Sequence, residues 1–415
     1  MDDVDAQFAL HTFGLPRGWK LGQGWNGDAF QIWFDGYDPN NGFGAVGFTH
    51  NQTEIGKTVD WFVVHRDPGI RHLIDRLSDS SLTDREVGRQ LDQLHGDLTP
   101  NALFMALKEP WRHPFGRLRP GSLSGSTYAH DGAWAEFVGR RERIDHDGNA
   151  HGSTINRNGI AIGVDHPLAS RSVIGMTFQY TQPRLRQSTG TVKADDYELG
   201  LYNMTQLTDN LDLKAYLGYS YQRYDFRRSV SLPVSPSGRY EAFHERLNGS
   251  ASGHALAASV ELIRPVQVRR NTRLLPIVAL DFEKARINGY RESAGQASLV
   301  YDDASMKRTM LRFGVDSEVD LKNGVYLKPR IQYAVQVGGQ KHPSVDARFA
   351  NSTLPGQPKA DIWGSEMGRN YVNLGLGGGW KMDARGDKSL YVNYDVKKYD
   401  RATSHAGMAG FMMRW

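Results

Sequence analysis

Gly407-Met408-Ala409-Gly410-Phe411-Met412-Met413-Arg414-Trp415, the last stretch of the sequence, decides the fold. Read with a period of two, Ala409, Phe411, Met413 and Trp415 share one face, and Met408, Gly410, Met412 and Arg414 share the other. In a water-soluble sheet such a strand would leave an apolar face and a terminal indole on an unpaired edge, which invites aggregation. A closed barrel in a membrane removes the difficulty. The edge pairs with the first strand, the apolar face meets lipid, and the indole sits at the interface. An ordinary last strand of a soluble sheet is the competing reading.

Composition bears on the same choice. The chain has 415 residues and a mean hydropathy of -0.53, and it holds no run of about 18 apolar residues, which excludes a helical membrane protein. Transmembrane strands escape that test, because lipid-facing and lumen-facing residues alternate and average out as polar. The 45 glycines and 11% aromatic residues suit many strands, turns and interfacial girdles. A net charge of +4, with bases and acids interleaved, points away from nucleic acid. With no cysteine, disulfides, thiolate zinc sites and cysteine nucleophiles are excluded. The 14 histidines show no ligand spacing; His113, His254 and His405 read as solvated side chains in separate loops or strand ends. We therefore expect no cofactor and no metal. The opening Met1 to Gln7 lacks the basic and apolar regions of an export signal, so that signal is expected upstream.

Residues 1–66 read as a small β-rich segment. Phe30–Phe34 and Ala45–Phe48 flank Asp38-Pro39-Asn40-Asn41-Gly42, which predicts a hairpin between them. From residue 67 to 131 the pattern is that of a helical linker. Ile70, Leu73, Ile74 and Leu77 recur at helical steps, and Thr83-Asp84-Arg85-Glu86 is a capping box. Val87, Leu91 and Leu94 form one stripe closed by Gly96. Thr99 as cap and Pro100 in first position start a further helix carrying Leu103, Phe104, Met105 and Leu107, interrupted at Pro110.

Between residues 132 and 415, twelve segments alternate or form a compatible apolar run. They begin near Ala133, Gly159, Ser172, Tyr197, Leu211, His254, Leu274, Met310, Val325, Val372, Leu390 and Gly407. Leu211, Leu213, Ala215, Leu217, Tyr219 and Tyr221 share one face of the fifth, against Asp212, Lys214, Tyr216, Gly218, Ser220 and Gln222. In the ninth, Lys328 and Arg330 point away from the apolar face. Connections alternate as well. Those at 165–171, 206–210, 322–324 and 383–389 are short, while those at 226–253, 283–307 and 338–369 are long. Short turns at one end and long loops at the other are the mark of an outer-membrane barrel.

The pattern is similar to the translocator domain of autotransporters of type Va secretion. The resemblance rests on Leu91–Asp97, Ala133–Gly139, Gly159–Asp165, Ile287–Ser293 and the terminal Phe411–Trp415, in the family's order over residues 68–415. His95 and Asp97 stand where the family usually carries Ser and Glu. The likeness implies a 12-stranded antiparallel transmembrane β-barrel with an α-helix in its lumen, at about residues 97–117, through Pro100, Leu103, Phe104 and Leu107. It implies the outer membrane of a Gram-negative bacterium, with a periplasmic C-terminus and the long loops and an N-terminal passenger outside. Outer-membrane lipid, the passenger and the barrel assembly machinery are the implied partners, the last reading Ala409, Phe411, Met413 and Trp415; the chain is expected to be a monomer. Some members cut themselves in the pore by Asn cyclisation, which makes Asn101-Ala102 a candidate, with Glu136, Glu198, Asp281 and Asp316 as inward acids. From the residues alone, Asn101 is simply a polar residue of a first helical turn, and the acids are salt-bridge partners for Arg140, Lys328, Arg330 and Lys397. Loop residues such as Arg227-Arg228 and Arg239-Tyr240 read as water-facing. A porin-like channel and an outer-membrane barrel hydrolase are the alternative functions.

Overall fold

The computed structural model describes residues 17–26, 29–107, 131–169, 171–383 and 387–415. Ahead of the main body lie β1 (Trp19–Asn26) and β2 (Ala29–Tyr37), then α1 (His50–His65), α2 (Arg71–Leu77), α3 (Asp84–Leu94) and α4 (Leu98–Ala102). The main body is a closed antiparallel barrel of twelve long strands. They are β3 (Gly132–Ile144), β4 (Ser153–Ala169), β5 (Ser172–Gln187), β6 (Gly190–Thr208), β7 (Leu211–Leu232), β8 (Phe243–Ile263), β10 (Thr272–Ile287), β13 (Ala304–Asp320), β14 (Val325–Gly339), β17 (Asn370–Lys381), β18 (Lys388–Tyr399) and β19 (Ala402–Arg414). Short strands β9 (Val266–Arg269), β11 (Tyr290–Arg291), β12 (Leu299–Tyr301), β15 (Ser344–Phe349) and β16 (Ala360–Trp363) extend the connections. Closure runs from Ala402 opposite Ile144 to Arg414 opposite Gly132, so no edge is left for the apolar last strand to expose.

Alternation sets which side chains face outward. In β7, Leu217 and Tyr219 are 52% and 53% exposed on the outer wall, while Lys214, Tyr216 and Ser220 are buried in the lumen. Phe411, Met413 and Trp415 likewise face out, and Met408, Met412 and Arg414 face in. Eleven residues from Leu211 to Tyr221, tilted by about 40°, rise roughly 25–30 Å, the height of the lipid-facing band of such barrels.

The strands do not stop at that band. β5, β7, β10, β14 and β18 start within two residues of where the periodicity places them, but β4, β6, β8, β13 and β19 begin well before the residues expected from the sequence. Much of 226–253 and 283–307 is therefore strand: β7 runs to Leu232, and β8 starts at Phe243. Beyond Tyr221 the outward residues of β7 turn polar at Arg223, Asp225 and Arg227, while the inward ones turn apolar at Tyr224, Phe226, Val230 and Leu232. The amphipathic phase reverses because this part of the wall faces water outside and an apolar core inside.

That core is supplied by the helices. Phe43, Ile55, Val59 and Phe62, with Leu73, Leu91 and Leu94, join Phe226, Leu232, Leu299, Tyr301 and Phe349 in one buried cluster. The helical region starts earlier than the sequence reading allows, since α1 occupies His50–His65 inside the segment expected to be β-rich. Ile55, Val59, Phe62 and Val63 carry the helical spacing, and Thr49 caps it by accepting from Gln52 N at 3.2 Å. The expected hairpin is also reassigned. Phe30–Phe34 pairs with β1, and 45–48 forms turns beside α1, because Asp60 draws this segment in by accepting from Phe43 N at 2.6 Å and Gly44 N at 2.9 Å.

The α1 helix docks on the exposed edge of β16. Asn51 acts as a strand there: its Oδ1 accepts from Trp363 N and its Nδ2 donates to Trp363 O, both at 2.8 Å. Trp363 is sandwiched between His50, at 3.6 Å, and His342, at 4.1 Å. Asp67 binds the loop after β15, accepting from Thr353 Oγ1 and Ser352 Oγ at 2.8 and 2.7 Å. The helices thus cover one mouth, the rim where the long connections lie, and Trp415 marks the other.

Candidate functional site

The site is the covered mouth, where the chain turns from α3 into the lumen. The Thr83–Glu86 capping box starts α3 as expected, with Glu86 Oε2 accepting from Thr83 N at 2.8 Å. Gly96, at φ +69°, ends it, and a Cβ there would run into the Tyr301 hydroxyl. The next helix begins at Leu98, one residue before the expected cap. Thr99 spends its hydroxyl on Tyr290 Oη at 2.7 Å instead of on the backbone. Residues 98–107 are all buried, Pro100, Leu103, Phe104 and Leu107 among them. The helix is short: after Ala102 a 3-10 turn, Leu103–Met105, takes over, and Arg157 from the wall donates to the Met105 carbonyl. The part of the expected pore helix at 108–117 lies outside the described residues. Asp131, just before β3, is at the opposite rim, its carbonyl accepting from Trp415 N at 3.0 Å.

Polar contacts from Asp97 and Asn101 lock this corner to three barrel segments. Asp97 Oδ2 accepts from His151 N at 2.6 Å and lies 3.0 Å from His151 Nδ1; Oδ1 accepts from Gln187 Nε2 at 2.8 Å. Asn101 Nδ2 donates to Gln187 Oε1 at 3.0 Å and His151 O at 3.2 Å, and Oδ1 accepts from Ser365 N at 2.7 Å. Burial alone would raise the Asp97 pKa, but His95 and His151 beside it hold it below the usual carboxylate value. For His151 burial pulls the other way, and the Asp97 carboxylate outweighs it and raises its pKa.

A buried ion pair forms the second clamp. Arg228, 1% exposed, meets Glu292 in a fork, Nε to Oε1 at 2.8 Å and Nη2 to Oε2 at 2.7 Å. It also donates to Ala297 O at 2.6 Å and to Gln93 O, near the C-terminus of α3, at 3.3 Å. This corrects the reading of Arg227-Arg228 as loop surface: Arg227 is exposed, but Arg228 lies on the inward phase of an extended β7. Glu292 belongs to the Ile287–Ser293 stretch quoted above, whose role at the mouth the sequence did not disclose.

The four inward acids are lumenal, and none is brought to Asn101. Glu136 accepts from Tyr391 Oη at 3.0 Å and Glu198 from the Tyr216 hydroxyl. Asp281 accepts from Ser259 Oγ at 2.6 Å and Arg312 Nε at 2.9 Å, and Asp316 from Gln332 Nε2 at 2.6 Å. Arg312 also reaches Glu261 at 2.9 Å. Lumenal charges pair: Arg140 with Glu142, Lys328 with Glu318 and Arg330 with Asp395, while Asp316 stands directly across from Arg330 in the β13–β14 register. His254 and His405 stand mid-strand on the outer wall, within 2.6 and 2.8 Å of Tyr219 Oη and Tyr394 Oη. His113 lies outside the described residues. Sequence reasoning missed that His95, Asp97 and His151 converge, because His151 comes from the β3–β4 loop, far along the chain.

Comparison with known proteins agrees with this architecture. The family described as autotransporter beta-domain matches residues 133–395, more than half of the chain. Among solved structures, the translocator domain of the autotransporter NalP from Neisseria meningitidis is similar at a TM-score of 0.55 and 12% identity, over 69% of this chain and 88% of that one. The transport unit of the autotransporter AIDA-I from Escherichia coli gives 0.47 and 10%, over 77% and 97%. The beta domain of the Bordetella autotransporter BrkA gives 0.43 and 16%, over 68% and 99%. At 12% identity the likeness to the NalP translocator domain concerns fold alone. No curated protein sequence matches this chain. A closed barrel of twelve strands, one mouth covered by its own preceding chain, and the family match together carry the conclusion: this chain belongs to the autotransporter beta-domain family, an outer-membrane translocator for its own N-terminal passenger.

Proposed function

We propose that the covered mouth faces the outside of the cell and that the rim carrying Trp415 faces the periplasm. The short turns lie at the Trp415 rim and the long connections at the other, the usual asymmetry of outer-membrane barrels. In this reading residues 132–415 are the transmembrane barrel, 67–131 the linker that leads into it, with the pore helix at about 97–117, and 1–66 the end of the passenger or its junction. The barrel assembly machinery reads the last strand through Ala409, Phe411, Met413 and Trp415, and the chain works as a monomer. One observation carries the reading: buried residues 98–107 fill the lumen at one mouth while Asp131 stands at the other. Planar-bilayer conductance tests it. Removing residues 1–120 raises single-channel conductance several-fold, and unchanged conductance would overturn the plug.

Asn101 serves in this arrangement as a clamp. Both hydrogen-bonding ends of its amide are engaged, and its backbone is helical. Self-cleavage between Asn101 and Ala102 is the competing role, and the intact mass of the purified protein decides. A fragment beginning at Ala102 establishes cleavage; a chain that stays whole leaves the clamp.

A further inference from the structure

We propose that His95, Asp97 and His151 form a binding site for one divalent transition-metal ion, zinc being the best chemical fit, which ties the α3–α4 corner to the β3–β4 loop. Their ligand atoms lie within 4.8 Å of one another. His95 is fully buried, and neither of its ring nitrogens has a hydrogen-bond partner. A buried ring nitrogen left without a partner is destabilising, so a side chain carrying two calls for a partner.

The spacing suits coordination. His95 Nδ1 is 3.7 Å from Asp97 Oδ1, and His151 Nδ1 is 3.0 Å from Asp97 Oδ2. Two ligands bonded at about 2.0–2.1 Å to a tetrahedral ion stand roughly 3.3–3.4 Å apart, between these two values. Each carboxylate oxygen has two lone pairs, so Asp97 can coordinate while still accepting from Gln187 and His151 N. With Nδ1 of His95 on the ion, its Nε2–H faces Asp92 Oδ1, now 3.7 Å away, the carboxylate that would fix the ring. Asp92 is itself held by Gln52 Nε2 at 2.8 Å. Two imidazoles and one carboxylate are donors for zinc rather than for magnesium or calcium, and a water completes the fourth position. His146 is not one of the residues whose ligand atoms lie within 4.8 Å of one another, and its Nδ1 bonds Ala150 O at 2.5 Å.

The test uses the full-length chain without a histidine tag, purified in detergent, stripped with EDTA and titrated with zinc against a chromophoric chelator. One equivalent binds per chain, His95→Ala and His151→Ala each weaken it by roughly tenfold or more, and His254→Ala on the outer wall leaves it unchanged. Cobalt in place of zinc produces the visible bands of a tetrahedral site, absent in Asp97→Asn, which keeps the shape of the side chain. Heat-dependent mobility in SDS confirms that each variant is a folded barrel. No saturable equivalent, or an equivalent that survives both histidine substitutions, overturns the site.

Discussion

Arg228 shows how one side chain can decide the state of the mouth. Its fork to Glu292 is buried on both sides, so Arg228→Ala leaves an uncompensated carboxylate and destabilises the cap by roughly 3–5 kcal/mol. Amide exchange in α3 reports it, and the apolar double variant Arg228→Met with Glu292→Leu restores most of the protection. Asp67 supplies a pH dependence. Burial would raise its pKa, but donors from Gly69, Ser352, Thr353 and Leu354 outweigh burial and bring it down to about 2. A carboxylate lowered in the folded state stabilises above its unfolded value near 4, and that contribution disappears as pH falls towards 2. The folded cap therefore loses stability between pH 4 and pH 2. Near-UV circular dichroism melts should show that component in the unaltered chain and not in Asp67→Asn.

At the scale of the element, β7 contains two strands of opposite phase joined end to end. From Leu211 to Tyr221 the outward face is apolar; from Tyr224 to Leu232 the inward face is. Substitutions in the two halves should therefore fail in different ways. Leu217→Arg puts a charge against hydrocarbon and costs about 2–4 kcal/mol in folding into phospholipid vesicles, measured in a denaturant titration. Phe226→Ala opens a cavity of roughly 3–5 kcal/mol in the cap while leaving heat-stable barrel mobility in SDS intact. The reversal is written in the sequence, yet a search for bilayer-length strands passes over it. Such a search stops where the outward face turns polar, which is why 226–253 read as loop. The α1 helix was missed for a related reason: its Ile55, Val59, Phe62 and Val63 follow a segment dense in Gly and aromatics that reads as strand. The Gly96 stop and the Thr83 box were legible because both act through their own backbone neighbours.

For the whole molecule, the barrel and its cap are separable in principle, since the long strands close on themselves without the helices. A chain lacking residues 1–120 should still migrate as a heat-modifiable barrel, and the rise in conductance named above then belongs to the lost plug rather than to unfolding. The sequence by itself determined the number of strands, the face each turns to lipid, the short-turn rim and the helical punctuation before the barrel. These properties follow from the local period of side chains and from turn chemistry, which each segment carries alone. Only the tertiary structure decided which lumenal acid meets which base, that Arg228 and Glu292 are buried together, that α1 closes the edge of β16, and that His95, Asp97 and His151 share one corner. Closure and register bring distant residues to the same height in the lumen, and alternation states the side of the wall but not the neighbour across it.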